Sequence, residues 1–143
     1  MPVFFHSADI SFDIKNRNKL KKWIYSEIQN ASFKPGEINI IFCSDNFLIL
    51  INREFLKHDF YTDIITFNNN VGCSISGDLY ISIDRVKENS TKYKIEFQNE
   101  IKRVIIHGIL HLLGNDDNSP ELKNEIHRKE DEALERCKTF YNE

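Results

Sequence analysis

The run "HGILHLLGNDD", from His107 to Asp117, sets two imidazoles four residues apart in an apolar stretch, closes it with Gly114 and follows with two acids. On a helix, positions i and i+4 share one face, so His107 and His111 can reach a single metal ion together, as in H-E-x-x-H sites. A catalytic zinc site needs a third protein ligand and keeps a fourth position open for water. Gly114 can stop the helix and reverse the chain, which brings Asp117 back toward the same ion. The full pattern, H-x3-H-x2-G-x2-D, is the ligand spacing of metzincin-type sites with an acid in the third place. Read instead as core residues, the two imidazoles need hydrogen-bond partners, and the apolar run offers few locally. A zinc peptidase carries its glutamate base directly after the first histidine; here that residue is Gly108, which argues against proteolysis. A glycine there lets another backbone or a substrate approach the helix closely.

These ligands need a helix to carry them and a sheet to pack it on. The segment 96–114 reads as a long helix that turns fully apolar toward its end. Before it, 3–14 reads as an edge strand, 16–31 as a helix with Leu20, Trp23, Ile24 and Ile28 on one stripe, and Pro35-Gly36 as a turn. A strand over 37–44 leads to Asp45, the expected cap of a helix over 46–56, and two strands follow over 63–70 and 76–86. Ser119 and Pro120 supply the N-cap and first position of a last helix whose buried stripe is Leu122, Ile126, Ala133, Leu134 and Cys137. The expected fold is α+β: a small mixed sheet of about four strands packed on the central apolar helix.

The 143 residues fit one domain, 1–143, large enough to bury a core. With 41% hydrophobic and 29% charged residues, the chain reads as an ordinary soluble globular protein. A net charge of -3 supplies no overall basic field, so any grip on nucleic acid must be local. No apolar run is long enough for a membrane span, and the N-terminus shows no secretory pattern. Cys43, Cys73 and Cys137 form no C-x-x-C pair, which points to a reduced, cytoplasmic compartment. Nothing indicates an oligomeric state.

The stretch 107–117 resembles the HGxLHLxGxDH signature of the YbeY family of bacterial metal-dependent endoribonucleases. "INREFLKHDFYTDIITF" (51–67) is similar to the family's LNxxYRxxDxPTDVLSF segment, and "SGDLYISIDRV" (76–86) to its GDIxI strand. The three occur in the family's order and spacing. The resemblance implies a zincin-like α+β fold and single-strand-specific endoribonuclease activity. It further implies maturation of the 3′ end of 16S ribosomal RNA and ribosome quality control, with single-stranded rRNA and the small subunit as partners. It also implies one divalent ion, zinc, held by His107, His111 and Asp117. Asp117 stands where the family has histidine; it is preferred over its neighbour Asp116 because it occupies the motif position. A carboxylate there makes bound water less acidic than three imidazoles would, and suits other divalent metals too. Leu56 stands where the family has arginine, which removes a bidentate phosphate ligand; Lys57 and His58 are its neighbours.

Candidate proton carriers are His58, Asp59, Asp63 and Asp116, with Asp63 first because it occupies the family's Thr-Asp position, and His58 beside it. Asp78 reads as a hydrogen-bond anchor at the sheet edge. Lys15, Arg17, Lys19, Lys21 and Lys22 form an acid-free run suited to RNA phosphates, and Phe60 and Tyr61 are aromatics that bases could stack on. Two other readings stay open: a non-catalytic ribosome-associated factor with a structural metal, and a small metallohydrolase with another substrate.

Overall fold

The computed structural model describes residues 3–58 and 62–141. In chain order the elements are β1 (Val3–Ser7), α1 (Arg17–Asn30), β2 (Lys34–Cys43), α2 (Asp45–Leu56), β3 (Ile64–Asn68), β4 (Ser74–Ser82), α3 (Ile83–Lys92), α4 (Phe97–Leu112) and α5 (Pro120–Tyr141). The strands form one mixed sheet of order β1-β2-β4-β3, in which β1, β2 and β4 run parallel and β3 pairs antiparallel with β4. This is the α+β arrangement expected from the sequence. No helix among the described residues is long and apolar enough to cross a membrane.

Strand side chains alternate between two apolar layers. Ile38, Ile40, Phe42, Leu79 and Ile81 meet Leu20, Trp23 and Ile24 of α1, Ile101, Ile105 and Ile109 of α4, and Ala133 of α5 in the main core. Ile65 and Cys43 form a smaller cluster with Leu48 of α2, against which Phe67 and Tyr80 pack. The stripe expected on α1 is buried throughout. Gly114 adopts φ 97°, and the amide of Asn115 donates to the Leu110 carbonyl at 3.0 Å, so the chain turns sharply after α4. Ser119 caps α5, accepting from the Leu122 amide at 3.2 Å.

Several local expectations are corrected. The 76–86 segment is not one strand: it breaks at Ser82, whose hydroxyl accepts from the Arg85 amide and starts α3. Pro35-Gly36 is not a free turn but lies inside β2, at a register shift between Pro35 and Ile38. The cap of α2 is Ser44, which accepts from the Phe47 amide at 3.1 Å. Asp45 instead turns its carboxylate to Ser82 and Arg85, tying α2 to α3. Asp78 is a hydrogen-bond anchor, accepting from the Asn39 amide group at 3.1 Å, but on β4 between two strands and not at the sheet edge.

Gly108 is also corrected. It faces neither backbone nor substrate, but is buried against the sheet, where a Cβ would fall 2.5 Å from Leu79 Cδ2 and 2.7 Å from Ile64 Cδ1. Packing thus accounts for the missing peptidase glutamate: α4 lies so close to β3 and β4 that the Leu79 and Ile64 side chains would have to shift even for a Cβ. Gly108→Ala is expected to lose about 1–3 kcal/mol to overpacking, offset by at most about 1 kcal/mol of helix propensity. Gly108→Glu is expected not to fold, because it would bury an unpaired carboxylate. Urea denaturation checks both; wild-type stability for the glutamate variant would refute this account.

Candidate metal centre

His107 and His111 sit one turn apart near the end of α4, on the side that faces away from the core. The turn at Gly114 returns Asp117 to them. His107 Nε2 lies 3.0 Å from His111 Nε2, and Asp117 Oδ2 lies 3.5 Å from the first and 3.6 Å from the second. Donors bound at about 2.0–2.1 Å around a tetrahedral ion stand about 3.3 Å apart, so this triangle fits a zinc-sized ion without rearrangement. Two imidazoles and a carboxylate are also a donor set such ions accept. All three side chains are partly exposed, at 24%, 26% and 40%, which leaves the outer position open. Among the described residues this is the one group of three such side chains with ligand atoms close enough to share an ion. Asp116 lines a separate shallow cavity with Leu122 and Ile126, so Asp117 is the acid within reach.

The triangle lies in a cleft of about 450 Å³ lined also by Leu56, His58, Thr62, Asp63 and Thr66. Asp63 precedes β3, pinned there by the Ser82 amide donating to its carbonyl at 2.9 Å. Burial pushes the Asp63 carboxyl above the usual carboxylate range, and the Glu130 charge adds to it; the His107 charge and two backbone amides oppose without cancelling it. His58 follows the end of α2, where Lys57 takes the left-handed conformation, and its amide donates to the Asn52 carbonyl at 3.0 Å. Leu56 lines the same cleft. Asp59, Phe60 and Tyr61 lie outside the described residues.

A second group behind His107 was not anticipated. Glu130 of α5, only 5% exposed, reaches across to α4 and accepts from His107 Nδ1 at 2.5 Å and from Arg103 at 2.9 Å. Asp131 holds the other arm of Arg103 at 2.6 Å. Burial alone would lower the His107 pKa, but the Glu130 hydrogen bond and charge, with Asp63 and Asp117, hold it above the usual range. Glu100 joins the group, its carboxyl raised by burial and by the Asp63 charge against the pull of Arg103. The partner that the apolar run around His107 lacks thus comes from another helix. The sequence carries one signal for it: Glu130 sits on the stripe Ile126, Glu130, Ala133, Cys137, where an acid interrupts buried positions at helical spacing.

The basic run stays apart from this cleft. Arg17 pairs with Asp13, while Lys19 lies 5.5 Å from the Tyr141 ring centre and Lys21 5.9 Å from that of Phe5. Neither these three nor Lys15 and Lys22 line the cleft.

The chain is similar to known proteins along most of its length. The description "endoribonuclease YbeY" matches residues 4–138. An endoribonuclease YbeY of Flavobacterium psychrophilum is 44% identical over 126 residues, covering 88% of this chain and 90% of its own. One from Cytophaga hutchinsonii is 41% identical over 133 residues, covering 92% and 93%. The solution structure of a Thermotoga maritima protein superposes with a TM-score of 0.67 over 98% of this chain and 91% of that one, at 23% identity, which speaks to the fold. Matched along nearly its whole length, the chain belongs to the endoribonuclease YbeY family.

Proposed function

We propose that this single-domain chain is a metal-dependent endoribonuclease that cuts single-stranded RNA, with zinc held by His107, His111 and Asp117. The observation that carries the reading is the donor triangle open to a cleft beside Asp63. A structural zinc site is closed by four protein ligands, whereas three ligands and an open position belong to a catalytic one. The open triangle therefore favours the enzyme over the ribosome-associated factor with a structural ion. Membership of the endoribonuclease YbeY family favours RNA over the substrates of other metallohydrolases. Maturation of the 16S rRNA 3′ end and ribosome quality control, in the cytoplasm and on the small subunit, are the setting we assign to it.

A divalent ion in the triangle supplies Lewis acidity toward a phosphoryl oxygen and toward water. The protein's own groups do the rest. Asp63, on the same cleft, takes the proton from the attacking hydroxyl, whether that of water or of the ribose. His58, on the same cleft, contacts the phosphate that an arginine would otherwise clamp and hands a proton to the leaving oxygen. Lys15, Arg17, Lys19, Lys21 and Lys22 hold RNA beyond the cleft through phosphates, a contact that weakens steeply with salt.

The test is cleavage of a single-stranded RNA and of its duplex by purified protein, before chelation, after it, and after zinc is restored. Cutting of the single strand that stops with the chelator and returns with zinc is expected. A zinc-loaded protein that cuts neither RNA would overturn the reading.

A further inference from the structure

The group behind His107 does more than join two helices. We propose that Glu130 is the positioning residue of the metal centre: it fixes His107 in the tautomer protonated at Nδ1 and so aims the bare Nε2 into the donor triangle. This rests on the metal reading above. A carboxylate only accepts hydrogen bonds, and both oxygens of Glu130 are engaged, Oε1 by Arg103 at 2.9 Å and Oε2 by His107 Nδ1 at 2.5 Å. A neutral imidazole has one N–H; if Nδ1 donates it, Nε2 has a free lone pair. That Nε2 is the atom 3.0 Å from His111 Nε2 and 3.5 Å from Asp117 Oδ2. Arg103 keeps the carboxylate from turning away, and Asp131 braces Arg103 in turn. Ligating histidines generally need such a partner, and its loss typically weakens metal binding about 10–100-fold.

Glu130→Gln isolates the effect. Glutamine keeps the shape but has one acceptor oxygen and one NH2 group. Arg103, a pure donor, takes the oxygen and leaves the NH2 facing Nδ1, which favours protonation at Nε2 and spoils the ligand. Asp131→Asn is the companion variant: it loosens Arg103 from a half-exposed carboxylate without touching His107.

Zinc affinity is measured on metal-free wild type, Glu130→Gln, Asp131→Asn and His111→Ala by competition with a chromophoric chelator. The His107 tautomer of metal-free wild type is read by long-range proton–nitrogen NMR at alkaline pH. The expected result is affinity about 10–100-fold weaker in Glu130→Gln, weakened by less than that in Asp131→Asn and lost in His111→Ala, with His107 protonated at Nδ1. Wild-type affinity in Glu130→Gln, or an Nε2-protonated His107 in the wild type, overturns the positioning role and leaves the metal centre standing. Wild type that takes up no zinc, or His111→Ala that binds as well as wild type, overturns the metal reading and this inference with it.

Discussion

His111→Ala is expected to carry no metal and to cut RNA on the order of a thousandfold more slowly, the several kcal/mol that a Lewis acid contributes to such a transition state. The fold should survive. The His111 side chain is 26% exposed at the end of α4, outside the core. Alanine there improves helix propensity and uncovers little apolar surface, so stability should stay within about 1 kcal/mol of wild type. Metal content, cleavage rate and urea stability on one preparation decide the matter. A variant that keeps its metal and its rate would place the chemistry elsewhere. A variant that loses metal and unfolds would make the ion structural.

Asp63→Asn should show opposite signs in activity and stability. Removing the general base is expected to lower the cleavage rate about 10²–10⁴-fold. The backbone bond from Ser82 to residue 63 does not involve the side chain, so β3 keeps its place. In the metal-free protein the Asp63 pKa is raised by burial, so the folded state prefers the neutral acid. The sign follows from linkage: below the ordinary carboxylate pKa both folded and unfolded chains are protonated and nothing is lost. As pH rises through the raised folded pKa, the fold must hold a buried charge and loses stability. Asparagine carries no such charge. The variant should therefore be more stable than wild type at neutral pH, with the gap closing as pH falls below the ordinary carboxylate range. Full activity in Asp63→Asn would remove Asp63 from the mechanism, and a stability gap indifferent to pH would refute its raised pKa.

Much of this was legible in the residues because it rests on periodicity and punctuation. Leu20, Trp23, Ile24 and Ile28 marked α1, and Gly114 and Ser119 marked the break between α4 and α5. The offsets of His107, His111 and Asp117 implied the triangle before any coordinates did. What stayed hidden depends on contacts between distant segments. The run Tyr80 to Val86 alternates like a strand, and only the Ser82 cap and the pull of Asp45 on Arg85 turn its second half into α3. Gly108 looked functional because its neighbours are ligands, yet Leu79 and Ile64 dictate it. Glu130 lies among acids and bases along α5, and nothing local separates it from the solvated ones except its place on the buried stripe.

The last helix carries a consequence for synthesis. Trp23 donates to the carbonyl of Ala133 at a separation of 110 residues, and Glu27 pairs with Arg136 at 109, so these polar groups of the first helix find their partners in the last. β1, β2 and β4 pair in parallel across long intervening segments, which slows folding further. A nascent chain halted before α5 leaves the Trp23 indole without its acceptor and His107 without Glu130. Assembly of the candidate metal centre is thus tied to the arrival of α5: a chain halted before it lacks both part of its core and the carboxylate that meets His107.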